Sequence, residues 1–280
     1  MMEKRIAILG GDKRFSILAQ QMVHDGHKIM TYGHENDCAA YEVPLDEAVT
    51  AEYIVLPLPL ARLEEDLNGR KDCTMEQLWS KFHPGQKIYA GNIREKDREC
   101  AKMYGLQLAD YYTDEALAIR NAVPTAEGAI AAAMSATDIT LQGARCLVMG
   151  YGRIGKVLAQ KLSALGAKVS VSARRKTDLA WIETMGFEAV HSYNPGEALG
   201  KFHIIFNTVP HELLDAEEIA KLRPDCVLIE LASCPGFDLA AVKRRGITHI
   251  TAAALPGKAA PKSAAEAICK TLYSLWEESE

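Results

Sequence analysis

Cys146-Leu147-Val148-Met149-Gly150-Tyr151-Gly152-Arg153-Ile154-Gly155 is the stretch on which the fold turns. The apolar run from Arg145 to Met149 predicts a short strand, and the pattern from Ile154 to Leu165 predicts a helix that stops near Gly166. A second strand follows at Lys168 to Ser172, so the glycines sit in a βαβ unit. Their spacing is G-x-G-x-x-G. In that setting Gly150 permits the tight turn, Gly152 lets the backbone approach a pyrophosphate, and Gly155 lets the helix lie close on the sheet. The helix N-terminus then offers free N–H groups and partial positive charge to the phosphates, with Tyr151, Arg153 and Ile154 as the residues between the glycines.

The end of the second strand selects the dinucleotide. An NAD-preferring site places Asp or Glu there to bond the ribose hydroxyls. Here the sequence runs Val169-Ser170-Val171-Ser172-Ala173-Arg174-Arg175-Lys176, with no carboxylate before Asp178. Guanidinium groups match phosphate geometry, so Ser172, Arg174 and Arg175 are candidates for a 2′-phosphate and NADP is expected over NAD. Two further loops follow apolar strands at Ile204 to Asn207 and Val227 to Leu231. Asn207-Thr208-Val209-Pro210 is a candidate to lie under the nicotinamide ribose, and Leu231-Ala232 to line the nicotinamide pocket, because ligands of open α/β sheets bind at the carboxyl ends of strands.

The first half begins in the same way. Arg5 to Leu9 predicts a strand ending in Gly10-Gly11-Asp12, followed by a helix from Phe15 to His24. Tyr53 to Leu56, an apolar run stopped by Pro57, and Lys87 to Gly91 read as further strands. Strands alternating with helices predict parallel sheets covered on both faces. The expected architecture is therefore α/β, with two Rossmann-like doubly wound parallel-sheet domains joined by a linking helix and a cleft between them. The expected boundaries are a substrate domain over 1–122, the linking helix over 123–140, an NADP-binding domain over 141–260 and a C-terminal helix over 261–280. Pro124 suits a first helical turn and opens an alanine-rich run. The small-residue segment Ala253 to Lys262 is expected as a loop, able to close the cleft, bind an anion or serve as a connector.

Composition narrows the function. The 280 residues carry 32 Lys and Arg against 37 Asp and Glu, a net charge of -5, which speaks against a nucleic-acid binder. No stretch approaches the length of a membrane span. Seven scattered cysteines without CxxC spacing predict reduced thiols in a cytoplasmic protein rather than a disulfide or zinc scaffold. The eight histidines have no metal-like spacing, and no metal is expected.

The chain resembles the dipicolinate synthase A-subunit family. The markers are Ile8 to Asp12 with Arg14, Asn121 to Gly128, Met149 to Gly155 with Ala173-Arg174, Asn207 to Pro210, Leu231 to Ser233 and Leu255 to Lys262. The two-domain plan is also similar to alanine dehydrogenase and adenosylhomocysteinase, in fold alone. The resemblance implies an NADP-dependent oxidation of a dihydrodipicolinate-type precursor, from a branch of the lysine pathway, to pyridine-2,6-dicarboxylate. It implies a place in the mother cell of a sporulating bacterium, with the flavoprotein-like B subunit of dipicolinate synthase for a partner; a homo-oligomer is also expected. For a dianionic substrate the candidate donors are Arg14, Gly11 with the helix it precedes, Asn92, Asn121, Thr125 and Lys258. Glu127 and Asp12 are candidate proton acceptors, each with a second reading as a helix-start or capping residue. Two alternatives stay open: a different dehydrogenase of small amino or keto acids, and a cofactor-holding component that turns over only with the B subunit.

Overall fold

A computed structural model describes residues 3–34, 38, 41–61, 74–192, 196–252 and 255–278. Cys73, one of the seven cysteines, and Ala253 and Ala254, which open the segment expected as a loop, lie outside them. The chain divides into two compact units, Met1–Asn121 with Ala260–Glu280, and Ala122–Ala259.

The first unit holds strands β1 (Arg5–Leu9), β2 (Lys28–Tyr32), β3 (Tyr53–Val55), β4 (Lys87–Ala90) and β5 (Gln107–Asp110) in the order β2-β1-β3-β4-β5, every neighbour pair parallel. Ile6, Ala7, Ile8 and Leu9 are fully buried, the continuous apolar pattern of a strand covered on both faces. Its helices are α1 (Lys13–His24), α2 (Leu45–Ala48), α3 (Met75–Lys81), α4 (Glu95–Met103) and the start of α5 (Glu115–Ala136). The second unit takes up the rest of α5 and adds strands β6 (Arg145–Met149), β7 (Lys168–Ala173), β8 (Glu188–His191), β9 (Ile204–Asn207), β10 (Val227–Glu230) and β11 (Thr248–Thr251). Their order is β11-β10-β9-β6-β7-β8, again all parallel. Its helices are α6 (Arg153–Ala164), α7 (Lys176–Thr184), α8 (Ala216–Lys221), α9 (Leu239–Arg245) and α10 (Leu255–Ala259); the C-terminal helix is α11 (Pro261–Glu278).

Both sheets are doubly wound, and each has one point where the strand order reverses: between β1 and β3 in the first, between β6 and β9 in the second. Ligands of such sheets bind there, outside the carboxyl ends of the strands.

Two elements differ from expectation. The helix expected over 123–140 begins at Glu115 and ends at Ala136, so Pro124 lies inside it rather than in its first turn. The N-terminal signal is Asp114, whose Oδ1 accepts from Leu117 N at 2.6 Å. Proline in the interior removes the bond to Arg120 O, and burial of Leu117 in one core and of Ala126, Ala129, Ile130 and Ala133 in the other outweighs that loss. The segment expected as a loop is helical from Leu255 to Ala259, seated so closely on α5 that a Cβ at Gly128 would lie 3.0 Å from Ala259 Cβ. The C-terminal helix α11, which the sequence assigns to neither domain, belongs to the first unit, where Ile268, Leu272 and Trp276 join the core built by α1 and β1. Trp276 meets the Tyr53 ring edge-on at 5.0 Å, and Tyr273 donates to Asp25 Oδ2 at 2.8 Å.

Among the described residues no helix is long and apolar enough to cross a membrane, and no group of three or more His, Cys, Asp or Glu side chains could hold a metal.

Candidate functional site

The turn after β6 is shaped by what a side chain would strike. Gly150 has φ 100°, and a Cβ there would sit 2.5 Å from Thr208 Oγ1 and 2.7 Å from Val209 Cγ2. At Gly155 a Cβ would lie 2.0 Å from Gly150 O, so the helix can approach the turn only without one. Gly152 is the opposite case: its Cβ position meets nothing within 4 Å, and it is the N-cap of α6 with no side chain over the helix end. That open backbone at a helix N-terminus fits a pyrophosphate. Arg153 opens the helix and is exposed, while Ile154 and Tyr151 are half-buried. Lys156 Nζ lies 5.3 Å from the Tyr151 ring centroid.

A cavity of about 310 Å³ opens beside this turn. Gly150, Tyr151 and Gly152 form one side; Ala173, Arg174, Arg175 and Asp178 form the wall at the end of β7. Ser192, Val209, His211 and Leu213 complete it. The residue at the end of β7, where an acid would grip ribose hydroxyls, is Ala173. Arg174 and Arg175 are exposed. Arg175 is bidentate to Asp178, Nε to Oδ2 at 2.7 Å and Nη2 to Oδ1 at 2.9 Å, and this raises the guanidinium's pKa further. Burial, and then the Asp178 charge, push the Tyr151 hydroxyl above its usual value, and both residues line the cavity.

Four cofactor candidates take positioning roles. Ser172 is 3% exposed; its carbonyl accepts from Gly150 N at 3.0 Å and its hydroxyl from Ser192 Oγ at 3.4 Å, so Ser192 is the serine on the cavity wall. Asn207 is fully buried and points back into the fold: Nδ2 donates to Val209 O and to Glu230 Oε1, both at 2.8 Å, and Oδ1 accepts from Val209 N at 3.0 Å. Thr208 spends its hydroxyl on Met149 O at 2.8 Å. Leu231 donates its N–H to Asn207 O at 2.9 Å and packs partly against the core. Val209 stays on the cavity wall, Pro210 is exposed beside it, and Ala232 is half-buried at the end of β10. Sequence reasoning missed Ser192 and Glu230. The clue for Glu230 was its place at the end of Val227-Leu228-Ile229, a fully apolar run.

In the first unit the corresponding turn is occupied. Arg14 is 7% exposed; its Nε and Nη2 grip the two Asp12 oxygens at 2.8 and 2.9 Å, and Nη2 also donates to Leu58 O at 2.6 Å. The expected two-point grip on a substrate carboxylate is therefore taken by Asp12, leaving Nη1. Asp12 also caps α1, accepting from Arg14 N at 3.1 Å, which is the capping reading rather than that of a free base. A Cβ at Gly11 would lie 2.5 Å from Phe15 Cδ2. The segment after β3 joins this turn to β4: Leu60 N donates to Gly91 O at 2.8 Å, and buried Tyr111 donates to Leu56 O at 2.9 Å. Next to it Asn92 is exposed with φ 56°, its N–H held by Asp110 Oδ1 at 3.0 Å.

The remaining candidates sit on helices. Asn121 and Thr125 are on α5, half-buried and buried, and Lys258 is exposed on α10. Glu127 is exposed and ion-paired with Lys161 at 2.7 Å, on the third turn of α6 and away from the glycine turn. That is a helix-to-helix tie within the second unit.

Residues 5–112 match the family described as the N-terminal domain of the dipicolinate synthase A subunit, and residues 118–254 that described as D-isomer specific 2-hydroxyacid dehydrogenase, NAD binding domain. The dipicolinate synthase A subunit of Bacillus subtilis (strain 168) is 28% identical over 288 residues, spanning 98% of this chain and 96% of its own. The crystal structure of the dipicolinate synthase A subunit from Bacillus halodurans superposes with a TM-score of 0.88 at 30% identity, covering 97% of each chain. L-alanine dehydrogenase, at a TM-score of 0.64 and 14% identity, shares the fold; the match covers 96% of this chain and 89% of that one. The second unit is thus a dehydrogenase-type domain for a nicotinamide dinucleotide.

Proposed function

The chain belongs to the dipicolinate synthase A-subunit family, and on that premise we propose that it oxidises a dihydrodipicolinate-type dianion to pyridine-2,6-dicarboxylate with NADP+ as acceptor. The observation that carries the choice of NADP+ is the wall after β7, where Ala173 stands in the place of the NAD-type acid and Arg174, Arg175 and Ser192 face the cavity. When bound, the nicotinamide ring supplies the hydride acceptor.

The chain's own residues bind and orient. The N-terminus of α6 and the bare Gly152 backbone take the pyrophosphate, with Gly150, Tyr151, Arg153, Ile154 and Gly155 shaping the turn. Val209, Pro210 and Ala232 border the nicotinamide end. Arg14 holds a buried positive charge at the first unit's switch point, and its Nη1 together with Asn92 and the N-terminal end of α1 answers a carboxylate of the substrate. Asn121, also in the first unit, joins the proposed substrate set. Loss of a hydride and a proton makes the ring aromatic, so the protein's share is largely positioning and electrostatics.

The two carboxylates expected as bases are both engaged, Asp12 by Arg14 and Glu127 by Lys161. That favours a second reading, in which turnover requires the flavoprotein-like B subunit. The place in the sporulating mother cell is carried over from the family as part of the same proposal. Full-length chain is incubated with NADP+ and freshly generated dihydrodipicolinate, with and without the B subunit, and pyridine-dicarboxylate absorbance is followed. Product from the chain alone supports the first reading; product only when the B subunit is present supports the second. No product in either arm, with NADP+ bound, removes the substrate assignment.

A further inference from the structure

Glu230 is the last residue of β10, 3% exposed, beside Asn207 at the end of β9 in the parallel register. Its Oε1 accepts from Asn207 Nδ2 at 2.8 Å and from Ala232 N at 3.0 Å; its Oε2 accepts from Gly236 N at 2.7 Å. A buried carboxylate needs such compensation, and among the described residues it comes from three N–H donors rather than from a lysine or arginine. Asn207 ends β9, and Ala232 and Gly236 lie in the segment after β10, all at the carboxyl end of the sheet. Through Asn207, whose amide bonds both Val209 N and Val209 O, the carboxylate reaches the turn that packs on Gly150. Through Ala232 and Gly236 it fixes the turn after β10.

We infer that Glu230 is a positioning residue for the nicotinamide half of the cofactor, tying the turns after β9 and β10 into one rigid edge. The inference rests on the cofactor reading above. The sheet is two three-strand halves, β6 to β8 and β9 to β11, and a dinucleotide lies across their junction. The adenosine half is held by the glycine turn and the β7 wall, the nicotinamide half by the turns that Glu230 joins. Glutamate suits the place because all three partners donate: glutamine would set an NH2 group against a backbone N–H. Gly236 gives an independent handle, since a Cβ there would lie 2.1 Å from Asn207 Nδ2.

The test separates the two halves of the ligand. Titration calorimetry of full-length Glu230→Gln is run with NADP+ and with 2′,5′-ADP, which lacks the nicotinamide half. The expected result is a loss of about tenfold in NADP+ affinity, the scale of one charge-assisted hydrogen bond, with 2′,5′-ADP affinity unchanged within about twofold. Equal weakening of both ligands, or of neither, overturns the inference. Wild-type protein that binds neither ligand overturns the cofactor reading itself, and the inference with it. Should Glu230→Gln fail to fold by circular dichroism, Gly236→Ala carries the same comparison by displacing the Asn207 amide, with the same selective loss expected.

Discussion

The two switch points of this molecule can be compared position by position. Strands β1 and β6 are five residues each, and α1 and α6 begin four residues after them and run for twelve. Gly10 therefore answers to Gly150, Asp12 to Gly152 and Phe15 to Gly155. The first substitution of consequence places a carboxylate where the second unit leaves bare backbone. The next places a ring where the second unit lets its helix close in. Asp12 repels a phosphate and recruits Arg14, and the guanidinium bonds Leu58 O across the switch point. One fold thus makes an open anion cradle and a buried cation at equivalent places, through side chains alone.

The sharpest way to break that comparison is to import one solution into the other. In Gly152→Asp the new side chain has room, and Asp is a better N-cap than Gly by only a few tenths of a kcal/mol, so the melting temperature holds or rises slightly. A carboxylate about 4–5 Å from the phosphates at an effective dielectric near 20 opposes them by about 3–4 kcal/mol, so NADP+ affinity falls by about 100-fold or more. Retained affinity in calorimetry means that the phosphates do not lie on Gly152.

Next in size is the wall after β7, which the first unit lacks any reason to copy. Arg174→Glu with Arg175→Glu weakens NADP+ by about 30- to 100-fold, the loss of one or two charge-assisted bonds with repulsion added, and NAD+ by no more than about threefold. Equal losses for both cofactors remove the 2′-phosphate from this wall.

How much of this was legible beforehand depends on whether backbone or side-chain direction decided the matter. The glycine turn was legible, because only a missing Cβ satisfies the contacts at Gly150 and Gly155. Ser172 and Asn207 show the limit. Residue type gave their hydrogen-bonding capacity, but a side chain near the end of a strand can point to either face, and both turn inward. The start of α5 was hidden because Pro124 matches a first-turn preference, while the buried Leu117 face that extends the helix backward is a tertiary fact. Strands β5 and β8 escaped notice because they lie at sheet edges, where Gln107-Leu108-Ala109-Asp110 and Glu188-Ala189-Val190-His191 carry mixed polarity.

A third experiment addresses the first unit's buried cation. Arg14→Ala removes the guanidinium that bonds both the Asp12 carboxylate and Leu58 O, and destabilises the fold by about 2–4 kcal/mol. The expected kinetic effect is a rise of about tenfold in the substrate KM, the scale of one lost charge-assisted contact, with NADP+ affinity unchanged. An unchanged KM takes Arg14 out of the substrate site and leaves it a structural ion pair.

The smallest effect runs against intuition and separates the two cations most finely. In the first unit Asp12 holds Arg14 inside the protein, and in the second Asp178 holds Arg175 at the mouth of the cavity. Arg14 is 7% exposed while the Arg175 side chain is 72% exposed, so the second pair is solvent-screened and readily exchanged. A 2′-phosphate must draw Arg175 away from Asp178, and the carboxylate lies near enough to Tyr151 to oppose the incoming charge. Asp178→Asn removes both obstacles. NADP+ then binds about three- to fivefold more tightly, the scale of a surface ion pair, and NAD+ binds no better. A gain shared equally by NAD+ places the benefit at the pyrophosphate, and a loss for NADP+ shows that Asp178 holds Arg175 in its binding posture rather than competing for it.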